Sequence, residues 1–70
     1  MSQNLPVMIN GEVREVPTGM NVTGLLIHLG IALDRVAVER NLAILPRSQW
    51  DQTNISSGDR FEIVHLVGGG

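Results

Sequence analysis

The sequence contains neither cysteine nor lysine among its 70 residues. Without cysteine, disulfide bonds, thiolate metal sites and cysteine nucleophiles are excluded, and a reducing compartment suits the chain at least as well as a secreted one. Without lysine, all five basic side chains are arginines. The chain therefore offers no side-chain amine through which copies of itself could be linked.

Positive charge and long apolar runs are also scarce. Five arginines and seven acidic residues give a net charge of -2, which is the wrong sign for a protein that must neutralise phosphates, so nucleic acid is not an expected partner. No apolar run approaches the ~20 residues of a membrane span, and residues 1–4 lack the basic and apolar regions of a signal peptide. We expect a cytoplasmic protein with no membrane partner.

What is present is enough for one hydrophobic core. Hydrophobic residues make up 43% of the sequence and charged residues 17%, which is typical of a folded domain and not of a disordered segment. A chain of this length has no room for a second core, so a multi-domain enzyme is excluded.

The first half of the sequence predicts a hairpin followed by a helix. Residues 5–10 alternate in polarity, and Asn10 with Gly11 is a strong signal for a tight turn into a second strand over residues 12–16. Asn21 can cap a helix, and Gly30 is well placed as its C-terminal stop. The apolar residues of this helix form one stripe, which consists of Val22, Leu25, Leu26 and Leu29.

The second half predicts three more strands, over residues 35–41, around residues 44–45 and over residues 60–67. Between them, Pro46 opens a helical turn that runs through Trp50, which we expect to pack against the core. Asp59 is expected to close the preceding turn through its side chain, with Gly58 supplying an unusual backbone angle. One helix between runs of strands predicts an α+β domain, a sheet of about five strands with the helix packed on one face.

Three consecutive glycines, Gly68, Gly69 and Gly70, follow the last predicted strand. At an average glycine frequency of about 7%, such a run at a given place has a probability of roughly 0.0003. Glycine has no Cβ, so a glycine tail can pass through a narrow channel and present its carboxylate to a large enzyme. We expect a folded domain over residues 1–67 and a flexible, reactive tail over residues 68–70; the alternative is a frayed terminus without chemistry.

The segment from Gly58 to Gly70, GDRFEIVHLVGGG, resembles the C-terminal segment of the ThiS family. These are sulfur carrier proteins for thiazole formation in thiamine biosynthesis, and they have the ubiquitin-like β-grasp fold. The stretches VERN (38–41), PRxxW (46–50) and IxxGD (55–59) stand where that family has similar residues, and the predicted element order is the β-grasp order. The family pattern needs only Gly69 and Gly70, so Gly68 is compatible with it.

The resemblance implies a carrier that acts as a co-substrate and not as an enzyme. An E1-like activating enzyme would use ATP to adenylate the Gly70 carboxylate, and a persulfide from a cysteine desulfurase system would convert it to a thiocarboxylate for thiazole synthase. Gly68 and Gly69 would enter the partners' active sites. The chain itself would bind no cofactor, since ATP is used by the activating enzyme. A carrier without cysteine can hold sulfur only at its own C-terminus.

The last predicted strand also indicates a docking surface. Phe61 and Ile63 should point into the core, which places Val64 and Leu66 on the opposite face of the sheet, where no helix covers them. Two apolar residues there predict a docking patch beside the tail. The alternative is scattered surface apolarity, which is common.

Catalytic and metal sites are not expected. The chain has only two histidines, His28 and His65, and no Gly-x-Ser-x-Gly pattern, so neither a hydrolytic triad nor a metal site is indicated. Three other functions stay open beside the thiazole carrier. They are the small subunit of molybdopterin synthase, whose family tends to end in a Pro-Val-Ala-Gly-Gly-like stretch, a ubiquitin-like modifier attached singly to target lysines, and an interaction domain whose tail has no chemistry.

Overall fold

The strands form one mixed sheet, and a single α-helix packs on one of its faces. The computed structural model describes residues 3–67. Its elements are β1 (Asn4–Ile9), β2 (Glu12–Pro17), α1 (Val22–His28), β3 (Val36–Arg40), β4 (Ala43–Leu45) and β5 (Arg60–His65). Short 3₁₀ helices precede β3 and follow β4, at Leu33–Arg35 and Arg47–Gln52. The sheet order is β2-β1-β5-β3-β4, and this confirms the predicted α+β fold.

The core lies between the helix and the inner face of the sheet. Val22, Leu25 and Leu26 of α1 are fully buried, and they meet Phe61 and Ile63 of β5, which are 0% and 5% exposed. Burial of each such side chain contributes roughly 1.5–3 kcal/mol. β5 pairs in parallel with β1 and antiparallel with β3, so it is the central strand of the sheet, and both of its inner residues are buried.

Both ends of α1 are capped by local hydrogen bonds. The Asn21 side-chain oxygen accepts the Gly24 N–H at 2.7 Å, as predicted for the N-cap. At the other end, the N–H groups of Gly30 and Ile31 donate to the carbonyls of Ile27 and Leu26, each at 3.0 Å. This pair of bonds is the Schellman motif. The helix therefore stops at His28, with Leu29 as its C-cap.

Several predicted boundaries were wrong by one or two residues. β5 ends at His65 and not at residue 67, because its partner β3 begins at Val36, which pairs with His65. Asn41 belongs to a turn and not to β3, since its φ is 52°. Pro46 is the N-cap of the 3₁₀ helix and not its first residue.

The two asparagines at the hairpin turns hold β5 in place. The Asn10 side chain accepts the Ile63 N–H at 2.7 Å and donates to the Ile63 carbonyl at 3.2 Å. On the other side, the Asn41 side chain accepts the Arg60 N–H at 3.0 Å, and the Asn41 N–H donates to the Arg60 carbonyl at 2.7 Å. Both turns thereby continue the hydrogen bonding of β5 where the neighbouring strands end.

Asp59 carries a buried carboxylate at the start of β5. It is 5% exposed and accepts the Ser56 N–H at 2.8 Å, which closes the turn as predicted. The Arg40 guanidinium donates to the same oxygen through Nε at 3.1 Å and Nη2 at 3.0 Å. This ion pair was not predicted, because it depends on the β3–β5 register that places Arg40 opposite Phe61.

We expect Asp59→Asn to lower the free energy of unfolding by about 2–4 kcal/mol. The amide cannot offset the Arg40 charge, and its NH₂ group would face either the guanidinium or the Ser56 N–H. This expected loss is smaller than the loss for a fully buried ion pair, because the Arg40 side chain is 29% exposed. Urea unfolding measures the loss, with the exposed Asp34→Asn as a control. Equal stability of the two variants would contradict a stabilising role for this ion pair.

Trp50 packs in the core, as predicted. It is 3% exposed, and its indole N–H donates to the Leu45 carbonyl at 3.0 Å. The partner carbonyl satisfies the one polar group of the ring. Trp50 thereby ties the 3₁₀ helix after β4 to the edge of the sheet.

Candidate functional site

The candidate site begins where β5 leaves the sheet. Val64 and Leu66 are 57% and 56% exposed, whereas Ile63, on the opposite face of β5, is buried. The predicted orientation of the strand is therefore correct. The Leu66 N–H donates to the Arg35 carbonyl at 2.8 Å, which extends the ladder one bond beyond β5. Val67 follows with 93% of its side chain exposed.

The predicted reactive residues Gly68, Gly69 and Gly70 lie outside the described residues. Within residues 3–67, Leu66 is the last residue whose backbone N–H is bonded to the rest of the domain, through the carbonyl of Arg35 just before β3, and it precedes Gly70 by four positions. Four residues of extended chain span at most ~14 Å. A partner that takes the Gly70 carboxylate into its active site must therefore also approach the end of β5.

The exposed face of the sheet continues from Val64 across β3 to β4. Residues opposite one another in paired strands share a face. Val64 is paired with Ala37, while Glu62 is paired with Glu39, which is in turn paired with Ile44. We call this surface the open face and define it by Ala37, Glu39, Ile44, Glu62 and Val64. All five residues are exposed.

Ile44 lies outside the docking surface that was predicted from the sequence. Ile44 is 78% exposed, and it joins the open face only through the pairing of β4 with β3. A sequence signal for the hairpin turn at residues 41–42 would have indicated this register. Residue 42 is leucine, however, and leucine does not predict a turn. The predicted patch of Val64 and Leu66 is therefore one end of a larger exposed surface.

The two histidines do not form a metal site with other side chains of residues 3–67. His28 and His65 are both exposed, at the end of α1 and the end of β5. Within residues 3–67, no group of three or more histidine, aspartate or glutamate side chains is placed to hold a metal ion. Among these same residues, no helix is long and apolar enough to cross a membrane.

A mixed five-stranded sheet with one helix across it and a central final strand defines a ubiquitin-like β-grasp protein. A solved structure of a thiamine biosynthesis protein (ThiS) from Geobacter metallireducens superposes on this fold with a TM-score of 0.82 at 35% identity, covering 94% of this chain and 100% of that one. The model of the ThiS family matches residues 7–70. The chain belongs to the ThiS family, the sulfur carriers of thiamine biosynthesis.

Two curated relatives are much longer proteins. A thiazole synthase of Paramagnetospirillum magneticum is 46% identical and one of Magnetococcus marinus is 38% identical, each over 66 residues. The match covers 94% of this chain but only 20% of each relative. A domain similar to this chain is therefore part of a longer polypeptide in both.

Proposed function

We propose that this chain carries sulfur as a thiocarboxylate on Gly70 and donates it for thiazole formation, as a co-substrate and not as a catalyst. The observation that carries the proposal is the match to the ThiS family, which extends through Gly70. The geometry supports it, since the backbone is bonded to the rest of the domain as far as Leu66, and the glycine run begins two residues later in the sequence.

The proposed chemistry needs activation from outside the chain. A carboxylate is a poor electrophile at neutral pH, and the sequence offers no cysteine nucleophile to form an activated intermediate. An ATP-dependent enzyme would join the Gly70 carboxylate to AMP and release pyrophosphate. The terminal sulfur of a persulfide would then attack the acyl carbon and expel AMP. Reduction of the resulting acyl disulfide by a thiol would leave the thiocarboxylate.

The proposed acceptor of the sulfur is a thiazole synthase. The two longer relatives bear that name and contain a domain similar to this chain within the same polypeptide. Tethering of this kind raises the effective concentration of one part for the other, often to the millimolar range. We therefore expect the carrier domain and the synthase to act on each other. Val64 and Leu66 are the proposed docking residues beside the tail.

Reconstitution tests the proposal. The chain is incubated with ATP, an E1-like activating enzyme, a persulfide donor, a thiol reductant, a thiazole synthase and the carbon and nitrogen substrates of that synthase, and formation of the thiazole product is followed. We expect product only with the full chain and none with a variant that lacks Gly69 and Gly70, because that variant no longer ends in two glycines and its carboxylate is displaced by two residues. Equal product without the chain would overturn the proposal. Sulfur transfer to a molybdopterin precursor instead would favour the alternative carrier function.

A further inference from the structure

The β3–β4 hairpin holds an exposed leucine in a strained conformation. Its two-residue turn consists of Asn41 and Leu42, with φ angles of 52° and 73°. A type I′ turn requires positive φ at both positions, which asparagine tolerates and leucine does not. The Leu42 side chain is 75% exposed, so packing against the core does not explain why leucine occupies this position.

The β1–β2 hairpin shows how the same turn forms without strain. There the two turn residues are Asn10 and Gly11, with φ angles of 49° and 84°. Both hairpins thus place asparagine first, and in both the asparagine side chain is hydrogen-bonded to β5. They differ at the second position, where glycine fits and leucine is strained. Strained residues persist where the surroundings fix them, and they occur often at binding sites.

Leu42 lies close to the apolar part of the open face. Ile44 is two residues farther along the chain, and Leu42 and Ile44 are among the most exposed large apolar side chains of residues 3–67. Strands lie ~4.8 Å apart and rise ~3.4 Å per residue, which puts Ile44 roughly 12 Å from Val64 across the sheet. A standard protein interface of about 800 Å² per partner can cover both positions.

The charges of the open face point to the chemistry of the partner. Glu39 and Glu62 are directly opposite each other on β3 and β5, and like charges in this arrangement destabilise a sheet. Neither carboxylate has a salt bridge within the described residues. A basic side chain placed between them would relieve the repulsion, and apolar contacts to Ile44 and Val64 would surround it.

We propose that Leu42 and Ile44 form a binding knob for thiazole synthase, which meets it with an apolar surface that also presents a basic side chain to Glu39 and Glu62. This inference rests on the proposed function. We assign the knob to the synthase, and not to the activating enzyme, because the longer relatives combine a domain like this one with a thiazole synthase in one polypeptide.

The test compares two substitutions at Leu42 in the full chain. Leu42→Asn removes the apolar contact and relieves the strain, so we expect affinity for thiazole synthase to fall at least about tenfold while Tm rises by about 4–8 °C. Leu42→Met keeps an apolar side chain in the strained position, so its affinity should stay within about twofold of the unsubstituted chain. Ile27→Asn, at an exposed apolar position on α1, is the control and should leave affinity unchanged.

The proposed contact between a basic side chain of the partner and the two glutamates is tested by the salt dependence of binding. Binding of the unsubstituted chain should weaken as salt concentration rises, because exposed ion pairs are screened. The double variant Glu39→Gln, Glu62→Gln should lose most of this salt dependence. If the salt dependence stays the same, the basic side chain assigned to the partner is wrong.

The outcomes separate this inference from the proposed function. If Leu42→Asn binds thiazole synthase as tightly as the unsubstituted chain, the binding knob is overturned while the carrier function stands. If Leu42→Asn instead weakens binding only to the activating enzyme, the assignment of the partner is overturned. If the unsubstituted chain binds no thiazole synthase at all, both the inference and its proposed partner are overturned.

Discussion

One residue added after Gly70 should abolish adenylation by the activating enzyme and leave the unfolding temperature unchanged. The carbonyl of Gly70 would then belong to an amide, and the new carboxylate would lie one residue beyond the position that the enzyme must reach. An extended residue adds ~3.5 Å, and a misplacement of about 1 Å can already cost a hundredfold in rate. ATP–pyrophosphate exchange measures the loss directly.

The matched control is the same residue added before Met1. It changes the length and composition equally and leaves Gly70 as the last residue, so exchange should continue at the rate of the unextended chain. Equal exchange by the two extended proteins would place the adenylated group elsewhere than the Gly70 carboxylate.

The second large effect is a loss of stability, which we expect when the core residue Ile63 is replaced by alanine. This side chain is 5% exposed and packs between the sheet and α1. Ile63→Ala should lower the free energy of unfolding by ~2–5 kcal/mol, through lost burial and a residual cavity. At 0.05–0.15 kcal/mol per residue, a domain of this size has only ~4–10 kcal/mol in total. Thermal unfolding should show a variant that is barely folded.

Val64 is the comparison position for Ile63, because it lies next to Ile63 on β5 and faces the opposite side of the sheet. Since it is 57% exposed, Val64→Asp should change the free energy of unfolding by less than about 1 kcal/mol. Its effect should appear in binding to the activating enzyme, because an unpaired carboxylate in a desolvated contact costs several kcal/mol. A stable Val64→Asp variant with unchanged affinity for both this enzyme and thiazole synthase would remove Val64 from the docking surface.

The elements that the sequence predicted well are those with local causes. Asn10 with Gly11 makes a tight turn by its own backbone preferences, and Asn21 caps α1 through a hydrogen bond only three residues away. The alternation of Phe61, Ile63 and Val64 likewise needs only the two-residue period of a strand. In each of these cases the structure confirms the prediction.

The features that could not be predicted from the sequence depend on contacts between distant segments. Arg40 and Asp59 are 19 residues apart and meet only because β3 and β5 pair in one register. Leu42 gave no turn signal, since leucine is disfavoured at positive φ, and the turn exists because Asn41 is bonded to Arg60 of β5. Because the sequence did not predict that turn, the pairing register of β4 with β3 could not be assigned from the sequence. Ile44 was therefore not placed on the open face.

The central claim is that the Gly70 carboxylate carries sulfur, and the intact mass of the protein tests it most directly. The chain is purified without added tags from cells supplied with sulfur, and its mass is compared with that of a variant lacking Gly69 and Gly70 from the same cells. We predict a fraction of the full chain with one oxygen replaced by sulfur, located by fragmentation to Gly70, and no such fraction in the variant. The same replacement of oxygen by sulfur, at equal abundance in the variant lacking Gly69 and Gly70, would contradict the account.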